Sequence, residues 1–117
     1  MDYYIGNIDF GGIVDHTGGA LLWKGVPALN RITKYIPQLI DSTLKEESLY
    51  IRLHNKDGTY TIFSPFYTPC LTQYSLFECR IGLGYIQFTT IVKDIRTDIL
   101  IFIPLQETSE IRQMQIT

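Results

Sequence analysis

Several things are scarce in this chain, and each scarcity removes a class of function. Of its 117 residues, ten are basic and twelve acidic, a formal net charge of −2. That balance leaves no basic stripe of the kind a nucleic-acid partner requires. No apolar run approaches the roughly 18 residues needed to span a bilayer, and no basic-then-apolar leader opens the sequence. The reading is therefore no nucleic acid, no membrane and a cytoplasmic product. Histidine is limited to His16 and His54, in separate segments, with no cysteine or carboxylate cluster at metal-ligand spacing, so no metal site is expected. The only cysteines are Cys70 and Cys79, which in a cytosolic β domain are expected free and partly buried. Cys79 falls inside an apolar strand, where it reads as a small core residue. Glycine is not scarce, yet no glycine run is followed by Lys-Ser/Thr opening a helix, which excludes a phosphate loop. Gly82-Leu83-Gly84 has no third glycine and no helix after it, so it is no dinucleotide fingerprint either.

What the chain does have is period-two alternation. Tyr85–Val92 alternates Tyr85, Gln87, Thr89, Ile91 with Ile86, Phe88, Thr90, Val92. Val92-Lys93-Asp94-Ile95 reverses direction, and Ile95, Thr97, Ile99, Ile101 and Ile103 then share one face, with Arg96 and Asp98 on the other. Side chains on a strand point alternately to its two faces, so the isoleucine row belongs to a core. Pro104 has no amide hydrogen for a ladder and ends the second arm. Further strands are predicted over 3–8, 20–23, 31–36, 49–54, 59–64, 76–80 and 110–116. Asn55-Lys56-Asp57-Gly58 reads as a hairpin turn, because Asp and Gly tolerate the left-handed conformation. Residues 37–48 are ambiguous: Pro37 with Leu39, Ile40 and Leu44 would suit a helix start, and a loop with one helical turn is favoured. The fold class is an all-β antiparallel sandwich with one long irregular connection, in one domain or part of one over residues 1–117.

The order of several motifs resembles a known family. Tyr4-Ile5-Gly6-Asn7, Gly12, Thr17-Gly18-Gly19, Arg31-Ile32-Thr33-Lys34-Tyr35, Tyr50-Ile51-Arg52, Ser64-Pro65 with Pro69, Glu78-Cys79-Arg80-Ile81-Gly82-Leu83-Gly84-Tyr85, Phe102-Ile103-Pro104 and Glu110-Ile111 follow one another as in the N-terminal β-sandwich domain of glycoside hydrolase family 94. That family, formerly glycosyltransferase family 36, holds cellobiose and chitobiose phosphorylases and relatives of cyclic β-1,2-glucan synthase. Where the family usually has histidine after the Cys-Arg pair, this chain has Ile81. The resemblance implies a partial sandwich, truncated relative to the family and non-catalytic by itself. It further implies partners: a catalytic helical barrel or a second copy of the chain, with support for a substrate entrance and for dimer contacts. No cofactor is implied; inorganic phosphate would be co-substrate of a full-length relative, whose general acid lies in the barrel.

Aromatic content bears on ligands: eight tyrosines, six phenylalanines and one tryptophan. Flat rings pack on pyranose faces, and an oligosaccharide is the ligand class they suit. Trp23 and Tyr67, beside loop glycines or prolines, and Arg80 are the candidate ligand-binding residues; burial is the commoner fate of a lone tryptophan. Glu78 and Arg80, two apart on a strand, share a face and are expected to pair as a structural link. No catalytic residue is assigned. The alternatives are a stand-alone carbohydrate-binding module or a protein-interaction β domain.

Overall fold

A computed structural model describes residues 2–16, 18–26, 30–33, 49–67 and 70–117. Among them are nine strands and no helix: β1 (Asp2–Gly6), β2 (Phe10–Asp15), β3 (Ala20–Lys24), β4 (Ile51–His54), β5 (Tyr60–Phe63), β6 (Leu76–Gly82), β7 (Tyr85–Val92), β8 (Ile95–Phe102) and β9 (Ile111–Ile116). They form a three-stranded sheet β1-β2-β3, a hairpin β4-β5 and a four-stranded sheet β6-β7-β8-β9, all antiparallel. The fold class read from the sequence is the one observed.

The central hairpin follows its alternation. In register, Ile86 faces Ile101, Phe88 faces Ile99 and Thr90 faces Thr97. These residues, with Ile103, are buried against Ile5, Phe10, Val14, Ala20 and Leu22 of the three-stranded sheet. A sheet hides one face only against another layer, and here two sheets supply each other's cover. Two residues, Lys93 and Asp94, make the β7–β8 turn, with φ of 49° and 66°. Successive left-handed residues match the twist of tight hairpins. Phe66, fully buried, enters from the loop after β5 and meets Phe88 edge-on at 5.1 Å. Gly18, with φ of 82°, lies beneath that ring, and a Cβ there would stand 2.6 Å from Phe66 Cζ.

One expected strand is different. Of residues 31–36, only 31–33 are described, and they make a single bridge, Arg31 to Trp23. The amide of Ile32 donates to Leu22 O, but the amide of Leu22 donates to the Thr33 hydroxyl, which itself donates to Ala20 O. A threonine side chain thus takes the place of backbone ladder partners, and pairing stops. Residues 34–48, with the ambiguous connection, lie outside the described set.

The two faces of β6–β9 differ. Cys79 packs against the core, and Phe77, Ile81, Arg112, Met114 and Ile116 share its face. Glu78, Arg80, Tyr85, Gln87, Thr89, Arg96, Asp98, Leu100, Phe102, Gln113 and Gln115 form the outer face.

Candidate functional site

Trp23 is buried, on the opposite face of β3 from Leu22, which belongs to the core between the two sheets. It is 8% exposed, its indole lies across Gly11, its register partner, and Tyr4 tilts against it at 6.1 Å. A Cβ on Gly11 would stand 3.0 Å from three indole atoms, so glycine here is what admits the ring. At that burial little of the ring is open to a sugar.

Tyr67, 43% exposed, is at the surface. With His16, Tyr74 and Phe77 it lines an apolar pocket of 310 Å³. The pocket is held by short-range bonding in its loop. The Thr72 hydroxyl donates to Ser64 O at 2.9 Å, the Thr72 amide donates to Tyr67 O at 3.1 Å, and the Tyr74 hydroxyl donates to Pro65 O at 3.2 Å. Burial pushes the Tyr74 hydroxyl well above the usual tyrosine range. Phe77, 39% exposed, stacks at a tilt on Tyr74 at 5.4 Å and reaches Phe88 at 6.2 Å, which ties the pocket wall to the core. Such a wall offers apolar contact and little hydrogen bonding. The sequence did not bring Tyr74, Phe77 and His16 to Tyr67, because His16 lies some fifty residues upstream and Tyr74 and Phe77 read as the approach to a strand. Only Phe77 carried a signal: period two places it on the face of Cys79.

Arg80 lies on the other side of the sheet. It pairs with Glu78 at 3.3 Å, as expected, and both side chains are well exposed. Trp23, Tyr67 and Arg80 are thus not brought together: one is buried, one lies in the loop pocket and one is on the outer face.

The same spacing recurs twice. Arg96 holds Asp98 at 2.8 Å, and Arg112 pairs with Glu110, whose side chain is 7% exposed. Arg112 also donates to Gly18 O at 3.2 Å, joining β9 to the turn above the core. Each pair is two residues apart on or beside one strand, where side chains share a face. The Arg96 guanidinium, then the Thr89 hydroxyl, holds the Asp98 carboxyl below the usual carboxylate range. A general acid needs the opposite, a carboxyl held protonated near neutral pH. Burial pushes the Cys79 thiol up, away from the thiolate a nucleophile needs. Both cysteines are free. Among the described residues no three His, Cys, Asp or Glu side chains cluster to hold a metal ion, and no helix is long and apolar enough to cross a membrane.

Comparison with known proteins adds one match. The family model for the glycosyl hydrolase 94 supersandwich domain covers residues 3–117. No curated protein matches the chain.

Proposed function

The chain belongs to the glycosyl hydrolase 94 supersandwich-domain family, and on that premise we propose that it serves a glycoside phosphorylase-like protein as a non-catalytic, carbohydrate-related part. In this reading it packs against a catalytic barrel or a second copy, helps to form the substrate entrance, and works in the cytoplasm with an oligosaccharide as ligand class. It uses no cofactor of its own, and inorganic phosphate would be the co-substrate of a full-length relative.

One observation carries the reading. The inner face of β6–β9 is wider than the sheet that covers it. Its centre is closed by β1–β3, while Phe77 and Ile81 on one flank and Met114 and Ile116 on the other stay 39%, 54%, 40% and 49% exposed. Apolar flanks beside a closed core suit contact with a further protein layer. The arginine-held carboxylates argue in the same direction, since they leave Glu78, Asp98 and Glu110 engaged.

The test is an assay of the purified chain with cellobiose and inorganic phosphate. No release of glucose 1-phosphate is expected. Turnover that a point change within the chain abolishes would overturn the non-catalytic reading.

A further inference from the structure

The outer face of the four-stranded sheet is built from cross-strand rows. Gly82, Tyr85, Phe102 and Ile111 form the first, Arg80, Gln87, Leu100 and Gln113 the second, and Glu78, Thr89, Asp98 and Gln115 the third. Successive rows lie two residues apart, about 7 Å at a strand rise of roughly 3.4 Å, so the three rows span about 14 Å, long enough for a few linked pyranose rings. Two shallow depressions, of 480 and 180 Å³, share Gln87 and Leu100 and make one continuous trough across the rows.

Its first row is a platform. The Tyr85 ring is laid down over Gly82: a Cβ on Gly82 would stand 1.9 Å from Tyr85 Cε1 and 2.1 Å from Cζ. Any side chain at that position would lift the ring off the sheet. With glycine there, the ring lies against the backbone, and Tyr85 remains 41% exposed. Phe102 and Leu100 continue the apolar floor beside it.

Beyond the platform the charges cancel. Arg96 is bound to both oxygens of Asp98, at 2.8 and 3.1 Å, and Thr89 donates to Asp98 at 2.7 Å; Arg80 is paired with Glu78. What remains for a ligand is three amides, Gln87, Gln113 and Gln115, which no side chain among the described residues engages. Each amide offers donors and an acceptor side by side, the pattern that vicinal hydroxyls match. A charged ligand finds no uncompensated partner here. A neutral one with an apolar face and a hydroxyl rim meets a floor for the first and amides for the second.

We infer that this outer face is a binding site for a neutral, β-linked oligosaccharide, with Tyr85 stacking on a pyranose ring and Gln87 and Gln113 bonding its hydroxyls. The open, extended trough selects the linkage: β-1,4-linked chains are extended ribbons that can lie along it, whereas α-1,4-linked chains coil away from it. Gly82 is a positioning residue, since it sets the tilt of the ring without touching ligand. The inference rests on the carbohydrate-related reading only for the class of ligand, and it places the ligand on the opposite side of the sheet from the Tyr67 pocket.

Calorimetric titration of the whole chain with cellohexaose tests it, with maltohexaose as the comparison sugar. Cellohexaose should bind and maltohexaose should bind more weakly. Tyr85→Ala should weaken cellohexaose binding about tenfold, the loss expected for one stacked ring. Gln87→Ala and Gln113→Ala remove amides that no other described side chain engages, and each should weaken it a few-fold. Gly82→Ala removes no group that touches sugar, yet should weaken binding by lifting the ring. Tyr67→Ala should leave binding unchanged. Absence of binding, equal binding of the two sugars, or loss with Tyr67→Ala but not with Tyr85→Ala would each overturn the site. None of these results bears on turnover, whose appearance in the phosphorolysis assay would overturn the non-catalytic reading instead.

Discussion

The side-chain amide of Asn7 donates to the carbonyl of Pro104 at 2.8 Å, across 97 positions of sequence. The same nitrogen donates to Glu107 O at 2.8 Å, while the amide oxygen accepts from the backbone N–H of Asp9 and of Phe10, each at 2.9 Å. All four hydrogen-bonding positions of one asparagine are filled, two within the β1–β2 turn and two on the loop after β8. One side chain thereby pins the first hairpin of one sheet to the end of a central strand of the other.

Asn7→Ala is expected to destabilise the chain by about 2 kcal/mol, since it strips partners from several backbone groups at once. Asn7→Asp should cost at least as much, because it turns a double donor into an acceptor facing two carbonyls. Urea midpoints measure both. A neutral Asn7→Asp would show that the bonds to Pro104 and Glu107 do not hold the sheets together.

Gly58 closes the β4–β5 turn with φ of 86°, and Asp57 accepts from the Thr59 hydroxyl and amide beside it. A β-branched residue resists that backbone region, so Gly58→Val should lower stability by roughly 1 kcal/mol or more. No atom stands within 4 Å of a Cβ at this position, so the loss would be conformational and not steric. Equal denaturation midpoints for the two proteins would remove that account.

Acid should weaken the domain through Asp98. Its folded-state pKa is depressed by Arg96 and Thr89, so the carboxylate's contribution is fully present above the unfolded value of about 3.9 and is lost as pH falls through the lower folded value. Asp57, depressed by the Thr59 hydroxyl and amide, adds in the same direction. Stability of Asp98→Asn, followed by urea melts from neutral pH downward, should fall less steeply over that acid range. An unchanged slope would mean that the Arg96–Asp98 link is formed equally in the unfolded chain.

The apolar flanks predict self-association. Light scattering at micromolar concentration should find the isolated chain larger than a monomer, and the pair Met114→Lys with Ile116→Lys should shift it toward monomer. Both residues lie on the inner face of β9, away from the trough on the outer face. A clean monomer with a sharp cooperative melt would show that the flanks need no cover, and would favour a self-sufficient binding module.

Local periodicity made the central hairpin legible. Tyr85–Val92 and the isoleucine row settle their own faces, Lys93-Asp94 settles the turn, and Pro104 lies just past the last ladder residue, Phe102. The Glu78–Arg80 pair was equally readable, because two residues on one strand need no tertiary knowledge. Trp23 was not. A tryptophan near glycines reads the same whether its ring meets a sugar or a glycine, and only the register of β2 against β3 places Gly11 beneath it. The Tyr67 pocket was half visible for a similar reason: Tyr67 could be read from its loop, but His16 and Phe77 arrive from other sheets. The long-range half of the clamp at Asn7 had no local signature, since Pro104 O and Glu107 O are backbone carbonyls that any residue would supply.

The Tyr85 ring over Gly82 also couples two positions over evolutionary time. A side chain at position 82 would meet the ring where it now lies, so the exposed ring has to swing aside to admit one. The ring and the glycine are therefore one feature spread over two positions. Lineages that use the ring as a platform should keep the glycine with it, and change at position 82 should accompany loss of the platform.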